Sequence, residues 1–131
     1  MKTLIVEDDF TSRFLLQEIL RDYGPSQVAV NGREAVEAVA ASLAAEQPYD
    51  LICLDIMMPE MDGQEALRKI RELEKEKGIL STDGAKVLMT TALDDMKNLS
   101  TAFQNLCDAY LVKPVQKEKL LEELRKLDLI P

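Results

Sequence analysis

The sequence predicts an α/β domain in which βα units wind around a five-stranded parallel sheet covered by helices on both faces. Three observations carry that reading. Five short apolar runs recur along the 131 residues. Four of the five end abruptly at polar residues. Between and after them, apolar residues return at steps of three to five, which is helical spacing. Because the runs are continuous rather than alternating, they suit strands buried on both sides, as parallel strands are.

The first run, Leu4-Ile5-Val6, stops at Glu7-Asp8-Asp9, and a helix with an apolar stripe of Phe14, Leu15, Ile19 and Leu20 is predicted to follow. The second strand is placed at Val28-Ala29-Val30. Asn31-Gly32-Arg33-Glu34 then sets a capping side chain three residues before a Glu, the pattern of a helix start. Asn-Gly also suits a hairpin turn. The following Val36, Val39 and Leu43 have helical rather than alternating periodicity, which favours the helix. The third run, Leu51 to Leu54, stops at Asp55. Asp62-Gly63-Gln64-Glu65 repeats the capping pattern ahead of Leu67, Ile70 and Leu73. The charged stretch from Arg71 to Lys77 reads as a solvated helix face overrunning the sheet into a polar loop at Gly78 to Gly84. Val87-Leu88-Met89 forms the fourth strand, ending at Thr90-Thr91, and Met96, Leu99 and Phe103 mark a fourth helix. Tyr110-Leu111-Val112 forms the fifth, ending at Lys113. Pro114 is expected at the start of a last helix carrying Leu120, Leu124 and Leu127, where its missing N–H costs little.

Composition narrows the function. The length fits one domain, placed at residues 1–131, with no linker and no room for an output domain. No run approaches the roughly 20 apolar residues that span a bilayer, and the acids at positions 7–9 interrupt any signal-peptide pattern, so a cytoplasmic location is expected. Cys53 and Cys107 lack CxxC spacing and read as reduced thiols without function. Lys and Arg number 16 against 24 Asp and Glu, a formal charge of −8, which repels nucleic-acid backbones and anionic lipids. The chain has no histidine, which removes the commonest general base and zinc ligand. Any phosphate chemistry must rest on carboxylates.

In an open parallel sheet the carboxyl ends of the strands lie along one edge, where ligands bind. Glu7-Asp8-Asp9, Asp55, Thr90-Thr91 and Lys113 should therefore meet. Like charges about 5 Å apart repel by roughly 3 kcal/mol per pair at an effective dielectric near 20, so a cation must offset the acids. Mg²⁺ suits hard oxygen ligands, one or two carboxylates with water and phosphate oxygens completing its shell. Asp8 and Asp55 are candidates for direct ligation, with Glu7 or Asp9 reaching through water. With a metal the set forms a phosphoryl-transfer site, in which Asp55 is the nucleophile and Lys113 and the Thr91 hydroxyl meet phosphoryl oxygens.

The segments Leu4 to Asp9, Tyr49 to Gly63, Thr90-Thr91-Ala92 and Ala109 to Pro114 resemble the receiver domains of bacterial response regulators, in order and spacing and across the whole chain. The resemblance implies a flavodoxin-like doubly wound (βα)5 fold with strand order 2-1-3-4-5. It implies a stand-alone module, not an enzyme, that takes a phosphoryl group on Asp55 from a histidine kinase or histidine phosphotransfer protein. It further implies Glu7 and Asp8 as the acidic pair, and Mg²⁺ held by Asp8, Asp55 and the Met57 carbonyl, with Glu7 acting through water. Thr91 and Lys113 take the family's hydroxyl and lysine positions, and Tyr110 that of the aromatic whose rotamer reports phosphorylation. The output surface would be the fourth helix, fifth strand and fifth helix, read by a downstream protein such as the flagellar switch. The protein would be a monomer or weak dimer. Two departures stand out: the stretch from Arg71 to Val87 is longer than usual, and Met57 and Leu93 occupy places where polar side chains are common.

Three rivals are weaker. A haloacid-dehalogenase-like phosphatase needs a second Asp at position 57, which is Met57. A flavodoxin needs a phosphate-cradling loop after the first strand, where this chain has three acids. In a degenerate receiver used only for docking, the reactive positions would not all be filled.

Overall fold

The computed structural model describes residues 1–58, 60–80, 83–92 and 107–131. Within them lie β1 (Thr3–Val6), α1 (Phe10–Leu20), a short 3-10 turn at Arg21–Tyr23, β2 (Ser26–Ala29), α2 (Gly32–Ala44), β3 (Leu51–Asp55), α3 (Gly63–Glu76), β4 (Lys86–Thr91), β5 (Ala109–Val112) and α4 (Lys117–Lys126). All strand pairs are parallel, in the order β2-β1-β3-β4-β5. The predicted fold class and order are thus observed. The helix expected around Met96, Leu99 and Phe103 lies outside the described residues.

Strand periodicity sorts the core into two layers. Leu4, Val6, Ile52, Leu54, Val87 and Met89 pack against α2 and α3 on one face. Ile5, Leu51, Cys53 and Leu88 pack against α1 and α4 on the other. β1, β3 and β4 are buried along nearly their whole length, which is why their sequences lack alternation. The side chains of Asp9, Asn31 and Asp62 cap α1, α2 and α3, accepting from the backbone N–H of Ser12, Glu34 and Glu65. The hairpin alternative at Asn31-Gly32 is therefore not adopted.

Several expectations are corrected. β2 begins two residues earlier than predicted and ends before Val30, whose N–H donates to Glu34 Oε1 at 3.1 Å as part of the α2 cap. Because β2 is an edge strand, Val28 and Val30 are partly exposed. On α1 the buried stripe is Leu16, Ile19 and Leu20, while Phe14 and Leu15 face outward. Phe14 stacks instead on Phe10, ring centroids 6.2 Å apart. Pro114 does not start the last helix. The Lys113 N–H extends the β5 pairing to the Thr91 carbonyl at 2.7 Å, so residues 114–116 are needed to turn the chain into α4. The Lys113–Pro114 peptide bond is cis. Cys53 is buried and Cys107 half-buried, and neither forms a disulfide.

The charged stretch at the end of α3 is only partly solvated. Arg71 donates to Glu74 Oε1 at 2.8 Å, to the Ala85 carbonyl at 2.9 Å and to Asp108 Oδ2 at 3.1 Å. Glu74 in turn accepts from the Ala85 N–H at 2.7 Å, and Asp108 from the Val87 N–H at 2.8 Å. Glu74 is 4% exposed. The cluster ties α3 to the amino ends of β4 and β5, at the edge opposite the predicted site.

Candidate phosphoryl-acceptor site

The carboxyl ends of β1, β3, β4 and β5 bring Glu7, Asp55, Thr91 and Lys113 to one edge. The chain leaves β1 for β2 on one side and returns to β3 on the other, which opens a crevice between those two strand ends. Glycine keeps the floor close. A Cβ on Gly63 would collide with the Asp55 carbonyl oxygen, and the Gly63 N–H donates to the Ile56 carbonyl at 2.8 Å. The start of α3 is thereby pressed against the backbone that carries Asp55. Gly32 makes a similar close approach to the Met61 carbonyl, which accepts from its N–H, and this pins the loop after β3 to α2. Glu60 in that loop has φ 67°, in the left-handed region that favours glycine.

The geometry of the acids is specific. Glu7 is fully buried, and both its carboxylate oxygens accept from Lys113 Nζ at 2.9 Å. The Asp9 N–H adds a contact to Glu7 Oε1 at 3.2 Å. Asp55 is 4% exposed. Its Oδ2 lies 3.3 Å from Lys113 Nζ and its Oδ1 accepts from the Met57 N–H at 3.3 Å. One ammonium thus serves two buried carboxylates. Asp8 is exposed to the crevice mouth, and carboxylate oxygens of Glu7, Asp8 and Asp55 all lie within 4.8 Å of one another. That all-oxygen set fits a hard divalent cation such as Mg²⁺. Asp9, offered above as a water-mediated alternative to Glu7, is committed to its cap.

Burial, then the charge of Glu7, pushes the Asp55 carboxyl up to about 7, against the pull of Lys113 and of the Met57 N–H. Burial alone would lower the Lys113 ammonium, but its contacts with Glu7 and Asp55 more than offset this and raise it. The Asp9 carboxyl is held below the usual range by the Ser12 backbone N–H and hydroxyl. The three acids of the cluster therefore outnumber its single ammonium by two.

Thr91 is fully buried at the end of β4, its hydroxyl donating to the Ala92 carbonyl at 3.1 Å. Register pairs Met89 with Tyr110 and Thr91 with Val112, so Thr91 and Tyr110 lie on the same sheet face. Tyr110 is 40% exposed. Met57 is also exposed, beside Asp55, and Leu93 lies outside the described residues. Near the site, Arg13 escaped the sequence reading, and Thr90, expected at this edge, was given no role there. Arg13, one turn into α1, donates to the Glu7 carbonyl at 3.1 Å and lies over the Phe10 ring, 5.6 Å from its centroid. Thr90 is buried with an unpartnered hydroxyl. Strand period two would have singled out Thr90, because it puts Thr90 rather than Thr91 on the face of Asp55.

Comparison with known proteins agrees with this geometry. The response regulator receiver domain family matches residues 3–125. The chemotaxis protein CheY of Bacillus subtilis is 32% identical over 127 residues, covering 95% of each chain. The hybrid signal transduction histidine kinase B of Dictyostelium discoideum is 37% identical over 131 residues, which are 95% of this chain and 6% of that protein. Among solved structures, the receiver domain of the histidine kinase CKI1 from Arabidopsis thaliana, complexed with Mg²⁺ and BeF₃⁻, superposes with a TM-score of 0.79 at 27% identity, covering 97% of this chain and 89% of the other. Among the described residues no helix is long and apolar enough to cross a membrane. The chain belongs to the response regulator receiver domain family.

Proposed function

We propose that this receiver, one domain over residues 1–131, accepts a phosphoryl group on Asp55 and passes the signal to a protein partner. The observation that carries the reading is the position of Lys113 Nζ, within 3.3 Å of Asp55 and 2.9 Å of Glu7, beside a three-carboxylate cluster. Asp8, Asp55 and the Met57 carbonyl would hold Mg²⁺, with Glu7 reaching it through water. The bound ion supplies positive charge that neutralises the acids and the incoming phosphoryl oxygens.

Asp55 Oδ attacks the phosphorus of the donor, a phosphohistidine on a histidine kinase or phosphotransfer protein, and the P–N bond breaks. Lys113 shifts from the Asp55 oxygen to a phosphoryl oxygen, a charge-assisted contact, while Glu7 keeps the ammonium in place. The Thr91 hydroxyl exchanges the Ala92 carbonyl for another phosphoryl oxygen. Its movement leaves room for Tyr110, on the same sheet face, to turn inward, which alters the surface around β5 and α4 that a downstream protein reads. The acidic charge disfavours direct nucleic-acid contact, and the module acts as a cytoplasmic monomer or weak dimer.

The test is incubation with acetyl phosphate and Mg²⁺ followed by intact mass. One phosphoryl group should be gained, and both EDTA and Asp55→Asn should abolish the gain. A gain that persists in Asp55→Asn removes the assignment.

A further inference from the structure

Among the described residues, Thr90 Oγ1 is the only buried side-chain polar atom without a hydrogen-bond partner, and Thr90 is 1% exposed. A hydroxyl withdrawn from water and left unpaired is costly, so the few native cases call for an explanation. Its place in the sheet supplies one. Cys53 and Leu88 are register partners and both pack into the layer against α1 and α4. Two residues on, Asp55 and Thr90 are again partners and project to that same face. The Ile56 N–H, donating to the Thr90 carbonyl at 3.1 Å, carries this pairing past the end of β3. On its other side Thr90 pairs with Leu111, whose side chain accepts nothing. Strands stand about 4.8 Å apart, so the Asp55 carboxyl group is the acceptor next to this hydroxyl across the ladder.

We infer that Thr90 is the hydrogen-bond donor to the acyl oxygen of phosphorylated Asp55, an inference that rests on Asp55 being the phosphoacceptor. In the free site both Asp55 oxygens are served, Oδ1 by the Met57 N–H and Oδ2 by Lys113. Once one oxygen has bonded to phosphorus, with the donor's P–N or P–O bond broken and its electron pair gone with the leaving group, the other becomes an acyl carbonyl. Lys113 then turns to the phosphoryl oxygens, where the negative charge lies, and the acyl oxygen, with a second lone pair beside the one it would give Mg²⁺, takes the waiting Thr90 hydroxyl. In hydrolysis a water oxygen bonds to phosphorus and both its protons leave with the released phosphate, while the P–O bond to Asp55 breaks and its electron pair returns to the carboxylate. Charge grows on the acyl oxygen along that path. A donor aimed at it therefore favours the transition state over the ground state, so Thr90 shortens the life of the phosphorylated form.

The experiment uses the full chain with acetyl phosphate and Mg²⁺, compares wild type with Thr90→Val, Thr90→Ala and Thr90→Ser, and follows loss of the phosphoryl group by intact mass after the donor is removed. A net hydrogen bond corresponds to roughly a threefold to tenfold slower loss in Thr90→Val and Thr90→Ala, with Thr90→Ser within about twofold of wild type. Infrared difference spectra with ¹³C-labelled Asp should place the acyl carbonyl stretch higher in Thr90→Val than in wild type and Thr90→Ser. A lifetime and stretch in Thr90→Val equal to wild type overturn the inference, as does an equal slowing in Thr90→Ser, which would assign the effect to packing. If wild type gains no phosphoryl group at all, the phosphoacceptor reading falls as well; normal gain with an unchanged Thr90→Val removes the inference alone.

Discussion

Replacing Asp55 by Asn should make the metal-free protein more stable, with a pH dependence that follows from the site. In the folded chain the Asp55 carboxyl is raised from 3.8 to about 7, first by burial and then by Glu7. A raised carboxyl means that the folded state holds its proton more tightly than the unfolded chain does. Wild type is therefore unpenalised below about pH 4, loses stability as pH rises from about 4 to about 7, and carries the full penalty above that. At about 1.4 kcal/mol per pH unit, the interval from 3.8 to about 7 corresponds to about 4 kcal/mol as an upper figure. Asn keeps the shape but must still be buried, and it gives up the 3.3 Å contact with Lys113, so about 2 kcal/mol is the expected gain at pH 8. For a chain of this length that is roughly 6 to 8 °C in Tm. Urea and thermal unfolding of both proteins in EDTA at pH 5, 6, 7 and 8 measure it. The gap should grow with pH and shrink again when saturating Mg²⁺ stabilises wild type by mass action. A gap independent of pH, or a variant less stable at pH 8, refutes the claim that Asp55 is held charged against its surroundings.

Other perturbations follow from particular contacts. Gly63→Ala drives a methyl group into the Asp55 carbonyl and should cost about 1 to 3 kcal/mol in urea unfolding; a neutral result would mean that α3 does not press on the site. Arg71→Met removes a buried partner of Glu74, which keeps the Ala85 N–H, and should cost about 3 kcal/mol, with amide exchange quickened at Ala85 and Val87; a loss below about 1 kcal/mol would show that the cluster is as weak as a surface pair. Met57→Asn places a polar group beside Asp55 that can orient an attacking water, so the phosphoryl group should be lost faster, and faster still when combined with Leu93→Glu. An unchanged decay rate in the double variant would clear both side chains of slowing hydrolysis.

The parts of the fold legible in the sequence are those where burial is two-sided. Strands β1, β3 and β4 lie in the sheet interior, so their apolar runs end where the strands end, and Glu7, Asp55 and Thr91 could be placed on one edge. At the sheet margin this logic weakens. β2 is half-exposed, and a valine belonging to the α2 cap looked like strand. On α1, Phe14 and Leu15 are as apolar as Leu16, and only the packing distinguishes which of them turns inward. The Arg71 cluster was hidden for a different reason: its third member, Asp108, is 37 residues away, and local pattern carries no trace of a partner at that distance. Thr90 was placed at this edge with Thr91 but given no role, because motif matching takes one hydroxyl, whereas strand alternation distinguishes the two.

The measurement that tests the central claim most directly is chemical trapping of the modified residue. Borohydride reduces an acyl phosphate to an alcohol, so an aspartyl phosphate becomes homoserine. After incubation with acetyl phosphate and Mg²⁺, reduction and peptide mass spectrometry should find homoserine at position 55 and at no other acid. Reduction product at Glu7, Asp8 or Asp9, or none in a protein that has gained a phosphoryl group, would contradict the account.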